Sequence, residues 1–308
     1  MASAAAHYMQ VPVQQMYSDP TVLSNSLEAC QRLFKYDGIL VLYDTTLEAE
    51  ACGCRLIWHE GHPPKVASPI LSAGDNVGKL DASGIERHGR IPAILEAAKR
   101  LTLTAGRDTG IFGAITGPVT LGLHLMGPEF LSLPDSNREG FNEYMNIWGK
   151  IATAMTRAYG ELNLDAIVLV DESLASLKQD QYADIQGAFK TLLNIARFYD
   201  IAVIIHIKEV FVDKPQAGFL LEADGFSLLN SFSDEVDILS PVGTLLGVSI
   251  PSSTLLGPTE EVQTVISNLL LKGRGRRLFI TTESEVPQAT PAENMHKVIQ
   301  MLHEDSAQ

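Results

Sequence analysis

The run AVIIHI, residues 202–207, carries His206 near the end of a continuous apolar stretch, with Lys208 and Glu209 just beyond it. An imidazole takes and gives protons near neutral pH, and a lysine beside a buried segment needs a carboxylate or water for its charge. Similar polar endings recur along the chain. GILVLYD closes on Asp44, GIFGAIT on Thr116, DAIVLVD on Asp171 followed by Glu172, and ADGFSLLN on Asn230. LLGVSI carries Ser249, and RRLFITT leads into Glu283, Ser284 and Glu285. Carboxylates, a histidine and a lysine at such places could transfer protons or stabilise developing charge. Each also has a plainer reading. Asp44, Asp171 and Glu172 are capping types, and His124 in GLHLMG has the setting of a core histidine. Lys208 either pairs with Glu283, Glu285 or Asp171, or sits solvated on a rim.

The elements that must position these groups are short apolar runs, most of them followed by a helical pattern. The runs are continuous rather than alternating, as in strands of a parallel sheet buried on both faces. EVDILS, 235–240, adds one more. About eight such strands with helices between them predict an α/β chain, a single-domain (β/α)8 TIM barrel whose strand ends face one active site. An open doubly wound sheet is the alternative, but no G-x-G-x-x-G or P-loop pattern follows any strand. Residues 1–35 read as an N-terminal segment, and 36–308 as the barrel with a long βα excursion over its mouth at 59–110. Pro118 suits a first helical position after Gly117. TPAEN reads as a capping box with Thr290 as N-cap, Pro291 first and Glu293 third, and Pro258, Thr259 and Glu261 repeat the pattern.

Acidic residues exceed basic ones by 37 to 23, for a net charge of −14. That argues against nucleic acid or an anionic membrane as the main partner, and KGRGRR at 272–277 reads as a solvated helix end. No apolar run reaches membrane-spanning length. The first twenty residues lack the pattern of a signal peptide. Cys30, Cys52 and Cys54 do not make a disulfide framework, so the expected compartment is the cytoplasm.

Six stretches together resemble the uroporphyrinogen decarboxylase superfamily, from about Tyr36 to His303. They are DGILVLYDTTLEAEACGC, ITGPVTLGLHLMG, LDAIVLVDESLAS, IIHIKE, GVSIPSSTLLGPTEEV and EVPQATPAENMHKVI. The resemblance implies a (β/α)8 barrel and two branches of chemistry. In the decarboxylase branch Asp44 matches the aspartate over the macrocycle, His124 takes the tyrosine position, and the histidine position falls near Glu283. The arginine motif of that branch is missing, since the first fifty residues hold only Arg32 and Lys35. A polyanionic macrocycle wants fixed guanidinium groups and a positive field.

In the methyltransferase branch, a His-x-Cys motif and a later cysteine hold zinc, which keeps an acceptor thiol as thiolate. His206 matches the histidine, while Lys208 and Ser284 stand at the two cysteine positions. Zinc is therefore not expected; were a metal bound, His206 and Glu283 would be its ligands. Lys208 either places a fixed ammonium where relatives keep a dication or marks a decayed site. The expected function is a methyltransferase-like enzyme acting on a small methylated substrate or a corrinoid-bound methyl group, with a corrinoid protein as partner. Asp44, His206 and Lys208 would be catalytic; His124, Asp171, Glu172, Glu283 and Ser284 would bind substrate. Uroporphyrinogen decarboxylation and a non-catalytic tetrapyrrole- or corrinoid-binding role are the alternatives, and the family's decarboxylases imply a homodimer.

Overall fold

A computed structural model describes residues 1–207, 222–228, 245–275 and 277–306. Seven strands form one parallel sheet: β1 (Gly38–Leu40), β4 (Gly110–Thr116), β5 (Ala166–Val170), β6 (Ala202–Ile207), β7 (Gly225–Leu228), β8 (Leu245–Ile250) and β9 (Leu278–Thr282). Between the first two, β2 (Leu56–Ile57) and β3 (Lys65–Val66) make a small antiparallel hairpin. Lys208, Glu209, Asn230 and the strand expected at 235–240 lie outside the described residues.

The strands neighbour one another in sequence order, β1-β4-β5-β6-β7-β8-β9, with no reversal. A doubly wound sheet reverses at a switch point, so the described strands do not follow the doubly wound alternative. A singly wound sheet puts its helices on one face and must curl to cover the other. The outer layer shows that curl. Helix 292–306, which follows β9, packs on helix 20–34, which precedes β1. The Phe34 and His296 rings meet there at 4.9 Å. Gly38 and Leu40 of one edge strand and residues 279–282 of the other line a single cavity. Among the described residues, β1 and β9 are not hydrogen-bonded to each other.

Register fixes which side chains face inward. His206 on β6 stands opposite Val170 on β5 and Ser227 on β7, and Ser249 on β8 stands opposite Thr281 on β9. The opposite face of β6 (Val203, Ile205, Ile207) is buried among the apolar core residues, which explains the unbroken apolar run.

The excursion at 59–110 is ordered: the hairpin leads into it, and helix 91–104 buries Ile91, Ile94, Ala97, Ala98 and Leu101. The 1–35 segment also carries core, since Leu23, Leu27, Cys30 and Phe34 of helix 20–34 are buried. Pro118 opens helix 118–126 after Gly117, as its ring favours. The other two proline expectations shift by one position. Pro258 is itself the N-cap of helix 259–273. Pro291 offers its carbonyl to the amides of Asn294 and Met295. Thr290 caps nothing with its side chain, because its buried hydroxyl has no hydrogen-bond partner. Its carbonyl instead accepts from Tyr8 Oη at 2.7 Å.

Candidate active site

Two cavities adjoin, the outer beside the C-terminal strand ends and the inner reaching between the strands as far as Gly38 at the start of β1. The outer one, of about 750 Å³, is lined by Asp44, Thr45, His62, Ser252 and Glu285 among others. The inner one, of about 180 Å³, is lined by His206, Ser227 and a largely apolar wall. Tyr43, Ser284 and Val286 line both. The carboxylate after β1 and the imidazole of β6 therefore belong to neighbouring chambers with a shared boundary.

Asp44 is buried, and its two oxygens have different partners. Oδ1 accepts from the Thr46 amide at 2.8 Å and the Thr46 hydroxyl at 2.7 Å, the turn that enters helix 47–51. Oδ2 pairs with the Arg90 guanidinium at 2.8 Å. Arg90 also meets Glu50 at 2.7 Å and lies over the Trp58 ring. Sequence reasoning missed this arginine because 46 positions separate it from its partner and it stands in no recognisable motif.

His206 is buried, and its Nδ1 lies 2.9 Å from Ser227 Oγ. The Tyr43 ring meets it edge-on, with centroids 5.8 Å apart. Tyr43 donates its hydroxyl to Glu172 Oε1 at 2.6 Å, which ties one expected substrate-binding residue to the imidazole's neighbour. Burial raises the Tyr43 phenol's pKa, and the Glu172 charge adds to that, so the ring is a neutral donor. Tyr43 is a second residue the sequence reading passed over, although it lies next to Asp44.

The other expected residues serve neighbouring backbone. Asp171 is fully buried and receives the Val119 and Thr120 amides at 3.2 and 2.8 Å, with the Thr120 hydroxyl at 2.8 Å. It thus caps helix 118–126 from another element, and burial pushes its pKa up to about 6. Glu283 Oε1 accepts the Ser252 amide at 2.9 Å. His124 Nε2 lies 3.3 Å from the Thr45 hydroxyl, and burial lowers its pKa, against the pull of Asp44 and Glu172. Asp171, Glu172, Glu283 and His124 line neither chamber. Ser284 lines both, and Lys208 lies outside the described residues.

Two buried carboxylates complete the surroundings. Glu285 accepts the Ser3 amide at 3.1 Å and the Tyr43 amide at 3.3 Å, and pairs with the Met1 ammonium at 2.9 Å. Glu48 accepts from the Thr116 amide at 3.0 Å and from its hydroxyl. Burial pushes its pKa up to about 7.

A catalytic zinc site uses three protein ligands. Here position 284 is a serine, Glu283 is turned to a backbone amide, and position 208 lies outside the described residues. Among the described residues no three His, Cys, Asp or Glu side chains come together in a metal-binding group. Of the three positions, His206 is the one that carries a zinc-ligand side chain among the described residues.

Comparison with known proteins puts this geometry in context. The family profile described as Uroporphyrinogen decarboxylase (URO-D) matches residues 1–305. The methylcobamide:CoM methyltransferase MtbA of Methanosarcina mazei is 21% identical over 302 residues, covering 93% of this chain and 85% of the relative. MtaA of Methanosarcina barkeri, a protein of the same description, is 23% identical over 262 residues, covering 81% and 75%. A solved methyltransferase from Methanosarcina mazei superimposes with a TM-score of 0.83 at 19% identity, covering 98% of this chain and 90% of the other. That likeness establishes the α/β fold with its curled parallel sheet.

Proposed function

Because this chain belongs to the uroporphyrinogen decarboxylase (URO-D) family, we propose a reading of its strand ends within the methyl-transfer branch, to which its methyltransferase relatives point. The protein is an enzyme that moves a methyl group between a corrinoid carried by a partner protein and a small acceptor or donor. Its seven-stranded sheet is part of a closed (β/α)8 barrel spanning 36–308, working in the cytoplasm and pairing as a homodimer. No described helix is long and apolar enough to cross a membrane.

The observation that carries the reading is the pair of adjoining chambers, with His206 in the inner and no lysine or arginine side chain among the described residues lining the outer. Asp44, Glu60 and Glu285 line the outer one instead. A macrocycle with many carboxylates would meet carboxylates there, and Arg90 is already engaged by Asp44 and Glu50. The decarboxylase reading is the weaker for that reason. In methyl transfer the acceptor attacks the methyl carbon, the bond to cobalt breaks, and the electron pair stays on the corrinoid. The acceptor must first lose its proton. His206, steadied by Ser227, takes it, and Asp44 supplies a fixed negative charge at the mouth.

The test is anaerobic incubation of the purified protein with methylcobalamin and coenzyme M, the acceptor in the relatives' names, followed by the visible spectrum of reduced corrinoid. Catalysed demethylation that falls about 100-fold or more in His206→Ala is expected. A wild-type rate equal to the uncatalysed one overturns the reading. Conversion of uroporphyrinogen would then establish the decarboxylase, and inertness in both assays the non-catalytic role.

A further inference from the structure

A groove of about 390 Å³ runs between helices 138–161 and 182–198, and it shares no lining residue with either chamber. Lys150, Thr153 and Arg157 line it at spacings of three and four, which puts them on one face of the first helix. Asn146 extends that face by a turn, and Ser83 reaches the groove from the segment before helix 91–104. Among the described residues no carboxylate lines the groove, and neither cation is in an ion pair with one. In a chain of net charge −14, two unpaired cations beside hydroxyl and amide donors are a local exception. Salt screens the wider negative field over about 8 Å, so an anion in the groove feels these two cations first.

Two further features of the groove point to a ligand. The Thr153 hydroxyl has no hydrogen-bond partner among the described residues, whereas Thr156 and Thr191 donate theirs to the carbonyls four residues back. A polar group left unbonded costs stability, and no hydrogen bond holds this hydroxyl against turning to an acceptor. Gly149 lets the two helices touch, since a Cβ there would lie 2.7 Å from that of Ala188. Gly187 has no such packing reason: nothing lies within 4 Å of its would-be Cβ, and a glycine weakens the helix it stands in. Its place on the groove leaves the helix backbone open to close approach.

We propose that this groove binds a small molecule carrying a phosphate group. The phosphate sits over Thr153 between Lys150 and Arg157, where a dianion with several acceptor oxygens meets charged donors from both sides. The body of the molecule lies on Gly187 and Ala188. At about 390 Å³ the groove stands near the lower end of small-molecule pockets, roughly 300–1,000 Å³, so that body is a few carbon atoms. The site is independent of the methyl-transfer reading, which uses none of these residues.

Inorganic phosphate, glycerol 1-phosphate and acetate are the probes, each titrated at constant ionic strength into the full nitrogen-labelled chain. Both phosphates should shift the amide resonances of residues 149–157 and 187–191 saturably, and acetate should bind at least about tenfold more weakly. The double variant Lys150→Gln, Arg157→Gln should weaken both phosphates by about tenfold or more. Gly187→Leu, which covers the backbone there, should weaken glycerol 1-phosphate and spare inorganic phosphate. No saturable shift, shifts confined to other amides, acetate bound as tightly as phosphate, or full binding by the double variant would each overturn the proposal. Undiminished glycerol 1-phosphate binding by Gly187→Leu would overturn it as well. All three altered positions are exposed, and the wild-type titrations decide the matter if a variant does not fold.

Discussion

Arg90 and Asp44 form an ion pair at 2.8 Å in which both side chains are almost wholly shielded from solvent. The same guanidinium binds Glu50 and lies over Trp58, so one cation from the excursion is shared by two carboxylates from the segment after β1, and the group keeps one net negative charge. Removing one member of such a group leaves buried charge without compensation, which costs more than the pair is worth. Arg90→Met should lower the unfolding free energy by about 3–5 kcal/mol. Adding Asp44→Asn to that variant should restore part of the loss. Urea unfolding of both variants checks this, and a loss below about 1 kcal/mol would show that water replaces the guanidinium freely.

Glu48 gives the stability a pH dependence of definite sign. Its folded pKa is pushed up to about 7, against an ordinary value of 4.5, by burial. The unfolded chain therefore gives up this proton first. Glu48's contribution is complete below about pH 4.5 and is lost as pH rises through about 7. In Glu48→Gln the amide oxygen can still accept the Thr116 amide, and the amide nitrogen can donate to the Thr116 hydroxyl. Variant stability minus wild-type stability should rise by up to roughly 3 kcal/mol across that window and level off above it. Thermal unfolding as a function of pH measures the difference, in which Asp171 and the other titrating groups cancel. A flat difference would place the folded and unfolded pKa together.

Much of this architecture was legible in the sequence, for a local reason. Continuous apolar runs such as 201–207 and 110–116, short and rich in isoleucine, read as strands covered on both faces, and their order along the chain is their order in the sheet. The polar strand ends were legible for the same reason, and His206 does reach a chamber. What each polar end does was not legible, because that depends on partners distant in the chain. Asp171 and Asp44 look alike in the sequence, each closing an apolar strand. Only the fold turns one onto the amides of Val119 and Thr120 and the other toward Arg90 and the mouth. Pro118 stands where the sequence put it, but the starts at Pro258 and Pro291 were misread by one residue, because an N-terminal proline suits both the cap and the first turn and the sequence pattern does not separate the two.

Asp171 also explains a glycine. A Cβ on Gly117 would lie 2.2 Å from Asp171 Cβ and 2.3 Å from Cγ. The carboxylate cannot step aside without giving up the three hydrogen bonds that hold it. Gly117→Ala should therefore cost about 2–3 kcal/mol, the range of overpacked cores. Gly187, inside helix 182–198, has nothing within 4 Å of its would-be Cβ. Gly187→Ala should gain about 0.5–1 kcal/mol from backbone entropy. Chemical denaturation of the two variants side by side makes the comparison, and equal effects would show that the Asp171 contact yields.

Tyr43 has two separable duties, and two substitutions divide them. Its hydroxyl serves Glu172, and its ring forms part of the boundary between the chambers, edge-on to His206. Tyr43→Phe keeps the ring and loses the donor, so it should cost about 1–2 kcal/mol of stability while leaving the imidazole as shielded as before. Tyr43→Ala removes the ring as well and should open the inner chamber to the outer. Carbethoxylation of His206 by diethyl pyrocarbonate reads the difference: the rate should be unchanged in the phenylalanine variant and faster in the alanine variant. A merely stabilising role would move unfolding in both variants and leave the modification rate alone in the folded protein. The reactivity of His206 after loss of the ring therefore tests whether Tyr43 forms the wall between the mouth and the imidazole.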